Sequence, residues 1–311
     1  MISFGPVPSR RLGNSMGINN ILSQKICSYS CVYCQVGLTR RLSINREKFY
    51  EPAKIYAEVE KHLGKLTNLP DYLTFVANGE PTLDITLGKS VEKLKEFGVP
   101  VAVITNASLL SDPQVRSELS LADWVSVKVD AGNETIREGM NRPHPDLSFK
   151  RYREGLFSFS LEYKGMLVSE TMLVQGINDQ PDTLRETASL IKQVNPQIAY
   201  IAVPTRPPAL SRVKRPEESA INEAFQIYTE AGLHTELLLG FEGVDTGFTG
   251  NAIDDIVNIC TVHPIREDTM AELLRKDHAD PITLDLLLQG KYIKRVRYNN
   301  KHFYIRNFAG Q

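Results

Sequence analysis

The chain has 311 residues, with 36 Lys+Arg against 37 Asp+Glu and a formal net charge of −1. That length carries one large domain or a barrel with a small module, and it buries a core without disulfide staples. Charge balance gives no global signal for nucleic acid or membrane, and the sequence has no 18-residue apolar run of the kind that crosses a bilayer.

The N-terminal segment, MISFGPVPSRR, lacks the charged-then-apolar order of a signal peptide, so a cytoplasmic protein is expected. A first strand is predicted near Met16 to Leu22. YLTFVA (72–77) reads as the next strand, closed by a turn at Gly79-Glu80-Pro81 and followed by an amphipathic stretch from Leu87 to Phe97. VPVAVIT (99–105) precedes a helix from Pro113 to Leu119. WVSVKVD (124–130) leads into a polar loop, then a stretch from Phe149 to Phe159 and a strand, MLVSETMLV (166–174). A helix is predicted from Pro181 to Val194, with Asp179 or Asp182 as its cap. QIAYIAV (197–203) is a further strand, and ELLLGF (236–241) adds one more. Strand alternating with helix predicts βα units and a parallel sheet. Six units, or seven with the last strand, fall short of the eight of a closed barrel. The pattern alone fits an open partial barrel or a doubly wound sheet.

Alternation within one strand is informative. Val125, Val127 and Val129 share one face, and Ser126, Lys128 and Asp130 share the other. Polar groups facing an interior are costly unless they bind something or one another. That face therefore lines a ligand cavity or closes on itself, for example through Lys128 with Asp130 or Glu170.

The last fifty residues differ in character. Short helices are predicted at Asp268 to Arg275 and Thr283 to Gln289, with Pro281 opening the second. KYIKRVRY and KHFYIR then read as two strands around Asn299-Asn300, a hairpin signal. Helix, helix, basic hairpin is the order of a winged-helix-like module, which serves as a nucleic-acid contact or as a protein-docking cap. Residues 1–255 and 256–311 are thus the expected domains.

CSYSCVYC (27–34) holds three of the four cysteines. Clustered thiols in a reducing compartment point to metal or catalysis rather than disulfides. Three thiolates in one loop serve three irons of a cubane and leave the fourth open to a ligand. Zinc is the competing reading. It needs a fourth ligand, from a His or from Cys260, and no further pair with zinc-finger spacing is present. Cys260 itself ends an amphipathic stretch and reads as a core thiol.

Cys27-x3-Cys31-x2-Cys34 resembles the CxxxCxxC motif of the radical S-adenosylmethionine (SAM) superfamily, and Tyr33 matches the aromatic usual before the third cysteine. Gly79-Glu80-Pro81 resembles the superfamily's GEP motif. Thr105-Asn106 resembles its TN(G) motif, with Ala107 in place of the glycine. GPVPSRRLG (5–13), NRPHPDLSF (141–149), GIND (176–179) and PTRPPA (204–209) look like a branch grouped with the tRNA wyosine-base synthases. The chain lacks the second cysteine set of those synthases. The resemblance implies an α/β partial (βα)6 TIM-like barrel in which Cys27, Cys31 and Cys34 bind a [4Fe-4S] cluster. It implies SAM contacts from Tyr33, Gly79, Glu80, Pro81, Asn106, Ser126, Lys128, Asp130 and Gly176. It also implies an external one-electron donor and a 5′-deoxyadenosyl radical that abstracts hydrogen from the substrate.

Arg10, Arg11 and Arg206 are candidate substrate ligands, because they lie in Pro-shaped loops and Arg206 follows a strand's C-terminal end. With the basic hairpin they favour RNA, tRNA in particular, as substrate. Modification of a protein or peptide is the alternative. A third reading is a non-catalytic iron–sulfur regulator that binds DNA through the C-terminal module; such a regulator needs neither GEP nor a polar strand face.

Overall fold

A computed structural model describes residues 2–21, 24–240 and 243–307. Its first strand, β1 (Ser3–Ser9), turns back into β2 (Gly13–Ile18). Two short strands, β3 (Ile26–Cys27) and β4 (Arg41–Leu42), bracket the cysteine loop. They are followed by α1 (Pro52–Leu63), β5 (Tyr72–Phe75), α2 (Leu87–Leu94), β6 (Val101–Thr105), α3 (Pro113–Leu119) and β7 (Trp124–Lys128). Next come α4 (Glu134–Asn141), α5 (Phe149–Glu162), β8 (Met166–Met172), α6 (Pro181–Val194), β9 (Ile198–Ala202), α7 (Glu218–Glu230) and β10 (Thr235–Leu238). The C-terminal segment holds α8 (Ala252–Val262), β11 (Ile265–Arg266), α9 (Glu267–Lys276), α10 (Ile282–Gln289), β12 (Ile293–Tyr298) and β13 (Lys301–Arg306).

Eight strands form one sheet in the order β1-β2-β5-β6-β7-β8-β9-β10. All pairings are parallel except β1 with β2. The sheet curls into a partial barrel with helices outside. The valine face of β7 packs outward, with Val125 and Val127 in the main apolar cluster beside Val101, Val103, Leu167 and Ile191. A smaller cluster, Leu12, Trp124, Val168, Tyr200 and Leu238 among others, fills part of the inner face. The two-sided burial is the reason these strands read as β-branched runs.

Several expectations need adjustment. The early strand runs Gly13–Ile18, and Leu22 lies outside the described residues. Strand β1 went unread because prolines at 6 and 8 argue against a central strand; it is the sheet edge, where proline is tolerated. The strand expected at 236–241 ends at Leu238, and Phe241 lies outside the described residues. The polar loop after β7 contains α4, started by Asn133, whose side chain accepts from Ile136 N. Neither Asp179 nor Asp182 caps α6. Gln180 stands at that cap without a side-chain bond, and Asp179 Oδ1 accepts from Gly176 N at 2.8 Å instead.

In the C-terminal segment β11, β13 and β12 form a three-stranded sheet. Asn299 and Asn300 both have positive φ, 47° and 58°, as a type I′ turn requires. The expected boundary at 255/256 falls inside α8. That helix packs with β1 through Phe4, Val7, Ile256 and Ile259.

Candidate functional site

A cavity of about 260 Å³ opens at the C-terminal ends of the sheet strands. One wall is the cysteine loop. Ile26, directly before Cys27, bridges to Gly79 after β5, with Ile26 N donating to Asn78 O at 3.2 Å and Glu80 N to Ile26 O at 3.1 Å. The approach is so close that a Cβ on Gly79, whose φ is +144°, lands on the Ile26 carbonyl. Only glycine fits there. Arg137 anchors the loop from behind. It is buried, donates to Tyr29 Oη at 3.2 Å, and lies over the rings of Tyr29 and Tyr152.

All three thiols line the cavity, and each has one side-chain N–H directed at it. Asn106 Nδ2 lies 3.6 Å from Cys27 Sγ, Asn141 Nδ2 lies 3.6 Å from Cys31 Sγ, and Lys25 Nζ lies 3.0 Å from Cys34 Sγ. Burial pushes the Cys27 thiol up to about 12 and Cys31 up to about 11. Burial also raises Cys34, but the charge and hydrogen bond of Lys25 outweigh it and leave that thiol below its ordinary value. Lys25 is 5% exposed, and its other partner is the Gly37 carbonyl at 2.5 Å. Burial opposes its charge, and the three cysteines restore it.

This donor set fits an anionic cluster. The buried Lys25 ammonium favours the thiolate of Cys34, its hydrogen-bond partner. Among the described residues no three Cys, His, Asp or Glu side chains converge on a single ion, whereas a cubane takes each thiolate on a different iron. Cys260, the fourth zinc ligand in the competing reading, sits in another apolar cluster with its Sγ 3.4 Å from Tyr304 O.

Glu80 also lines the cavity and is 1% exposed, so it is not a surface turn carboxylate. Burial raises its pKa against the pull of its hydrogen bonds. Oε1 accepts from Thr82 N, Thr82 Oγ1 and Thr105 Oγ1, and Oε2 accepts from Asn106 N at 2.7 Å. The carboxylate thus ties the end of β6 to the turn after β5. Ala107 has φ +62°, which accounts for the glycine common at that place in the TN(G) motif.

The opposite wall is ionic. Glu170 forms ion pairs with both Lys128 and Arg11. Lys128 lies 5.2 Å from the Tyr33 ring centroid, and burial lowers its pKa. Of the two partners considered for Lys128, Glu170 is the one that receives its hydrogen bond. Asp130 is engaged instead by the Tyr33 hydroxyl, by Asn141 Nδ2 at 2.7 Å and by Met172 N at 2.8 Å. Arg10 and Arg206 line the cavity as well. Arg206 donates to Gln35 Oε1 at 3.3 Å and lies 2.9 Å from His263 Nε2.

The structure therefore brings Cys27, Cys31, Cys34, Tyr33, Gly79, Glu80, Asn106, Lys128, Arg10, Arg11 and Arg206 onto one cavity. Pro81, Ser126, Asp130 and Gly176 do not line it. Pro81 opens a buried 3-10 turn, Ser126 is buried within β7, Asp130 braces Tyr33, and Gly176 turns the chain before α6. Sequence reasoning passed over Lys25 and Asn141. Lys25 stands two residues before the first cysteine. Asn141 opens the NRPHPDLSF stretch, but its contact with Cys31 spans 110 residues and has no local signature.

The Radical SAM superfamily matches residues 21–191. The UPF0026 protein MJ1312 of Methanocaldococcus jannaschii is 45% identical over 314 residues, covering 100% of this chain and 97% of its own. The chain belongs to the radical SAM superfamily and, within it, to the UPF0026 family. It is a radical SAM enzyme, of a family that uses a [4Fe-4S] cluster and SAM. A dual-specificity RNA methyltransferase, RlmN of Lawsonia intracellularis, is 24% identical, covering 74% of this chain and 66% of its own. SuiB of Streptococcus suis, solved with SAM bound, superposes with a TM-score of 0.52 at 13% identity, over 73% of this chain and 52% of that one, a likeness of fold alone. Among the described residues no helix is long and apolar enough to cross a membrane.

Proposed function

We propose that this enzyme holds its [4Fe-4S] cluster on Cys27, Cys31 and Cys34, and that it modifies RNA, tRNA in particular. The observation that carries the cofactor reading is the convergence of the three thiols, the buried Lys25 and the buried Glu80 on one cavity. When bound, the cluster and SAM supply a 5′-deoxyadenosyl radical that abstracts hydrogen from an unreactive C–H bond. The chain binds, orients and excludes water. Glu80 is the charge-assisted acceptor for SAM's ammonium. Asn106 and the backbone at Gly79 complete that end of the site, with Tyr33 and Lys128 on the facing wall. Asp130 acts through Tyr33. Pro81 shapes the turn that presents Glu80.

For the substrate, Lys25 is set against the thiols, and the remaining cations, Arg10, Arg11, Lys128 and Arg206, line the cavity against two carboxylates, Glu80 and Glu170. Such a cavity favours an anionic ligand. We read residues 256–311 as a winged-helix-like module at its rim. Tyr298, in the basic hairpin, donates to the cavity-lining Pro204 carbonyl at 3.2 Å, and Gln35 donates to Val262 O at 3.0 Å. Exposed Lys294, Arg297 and Lys301 extend the positive surface outward, as phosphate-tracking surfaces require. The RNA methyltransferase among the relatives supports the same class of substrate. A cytoplasmic setting, where thiols stay reduced, fits this reading.

The test is anaerobic reconstitution of the full chain with iron and sulfide, then SAM and dithionite, with 5′-deoxyadenosine as the readout. Formation that disappears in Cys31→Ala is expected, as is stimulation by bulk tRNA. Formation in Cys31→Ala overturns the ligand assignment. Failure of tRNA to bind or stimulate, with stimulation by a peptide fraction, moves the substrate to protein.

A further inference from the structure

The three N–H groups directed at the thiols differ in kind. Asn106 and Asn141 present neutral amides at 3.6 Å, whereas Lys25 presents an ammonium at 3.0 Å. Lys25 is held there by backbone geometry as well as by its own bonds. Its carbonyl accepts from both Arg40 N and Arg41 N, each at 3.1 Å, and its Nζ is clamped between Cys34 Sγ and Gly37 O. The residue is 5% exposed, so water does little to screen it.

We propose that Lys25 is a positioning residue that sets the reduction potential of the cluster, by placing one unscreened positive charge against Cys34. The inference rests on the assignment of Cys27, Cys31 and Cys34 as cluster ligands. Hydrogen bonds and net charge at the cysteine sulfurs are levers on cluster potential. A fixed cation stabilises the reduced, more negative cluster over the oxidised one, so it eases the one-electron reduction the enzyme requires. The effect is strongest at Cys34, the one thiol hydrogen-bonded to the ammonium, which makes the three ligands inequivalent.

The experiment measures iron per chain and the midpoint potential, by EPR-monitored redox titration, for wild type, Lys25→Met, Lys25→Arg and Arg41→Met. Arg41 is the control, an exposed cation in β4 beside Lys25, paired with Glu47. Wild-type iron content is read first, and its absence overturns the ligand assignment rather than this inference. The expected result is a loaded Lys25→Met with a potential lowered by about tenfold in the reduction equilibrium, 59 mV for one electron. Lys25→Arg stays near wild type, and Arg41→Met does not shift. A loaded Lys25→Met at the wild-type potential overturns the proposal, as does an equal shift in Arg41→Met. If Lys25→Met fails to hold iron, a loaded Lys25→Arg near the wild-type potential supports the need for the charge. Loss of iron in both variants overturns it in favour of packing.

Discussion

Two lysines, the buried Lys25 and the partly buried Lys128, face the same cavity and are neutralised in opposite ways. Lys128 has a carboxylate, Glu170, which it shares with Arg11 on the wall of β7 and β8. Lys25 has sulfur and a carbonyl, on the wall of the cysteine loop. The first charge is balanced within the polypeptide whatever the cavity contains. The second is balanced only when its sulfur partner, Cys34, is a thiolate. One wall is thus complete as folded protein, and the other is completed by the group it holds. The difference teaches that the ionic wall belongs to stability and substrate charge, while the sulfur wall belongs to cofactor chemistry.

The largest effect comes from breaking the sulfur wall. Cys34→Ala removes a cluster ligand and the partner of Lys25 together; iron loading and 5′-deoxyadenosine formation are expected to vanish, as measured by iron assay and chromatography. Retained SAM cleavage would sink the distinction between the walls. Next is the ionic wall. Glu170→Gln removes the carboxylate that Lys128 and Arg11 share, and the loss of stability is expected at about 3 kcal/mol, read by denaturant titration of the cluster-free protein. Adding Lys128→Met to it should recover part of that loss; a fully additive double variant means the pair is not coupled.

A smaller effect is expected from Gly79→Ala, which drives a methyl into the Ile26 carbonyl at a left-handed φ. The strain amounts to about 1–3 kcal/mol and displaces the residue before Cys27, so reduced iron loading should accompany a lower melting temperature. Wild-type values for both would refute the close approach.

The smallest effect concerns a third buried charge, remote from both walls. Asp255 is pushed up to about 6 by burial, with Asp277 adding to the rise and Thr249 opposing it. Its folded pKa lies above its unfolded value, so the folded state binds more protons between roughly pH 4 and pH 6. That contribution to stability is present at low pH and is lost as pH rises through 6. Asp255→Asn should therefore gain about 1–2 kcal/mol over wild type at pH 7.5, with the gain shrinking at pH 4.5. A pH-independent difference would show that Asp255 titrates normally.

Much of the fold was legible, because a parallel sheet writes itself as β-branched runs between amphipathic helices. Pro113–Leu119 and Pro181–Val194 begin and end where proline and local periodicity place them. Strand β1 was not legible, since its prolines mimic a loop and only the neighbouring β2 makes it an edge. The helix α4 hid inside a polar stretch whose cap, Asn133, is also a turn residue.

At the site, the spacing of three cysteines and the Gly79-Glu80-Pro81 turn are local signals, and the sequence by itself determined the superfamily and its cofactors through them. The alternation in β7 also determined that Lys128 faces inward while Val127 faces the helices. What only the tertiary structure decided is which partner each charge takes. Lys128 meets Glu170 rather than Asp130 because parallel register sets residue 128 beside residue 170. Asn141 reaches Cys31, and Arg206 reaches His263, across separations that no periodicity encodes. Composition and spacing act along the chain; hydrogen bonds and ion pairs act through space, and the curl of the sheet brings those groups within a few ångströms of one another.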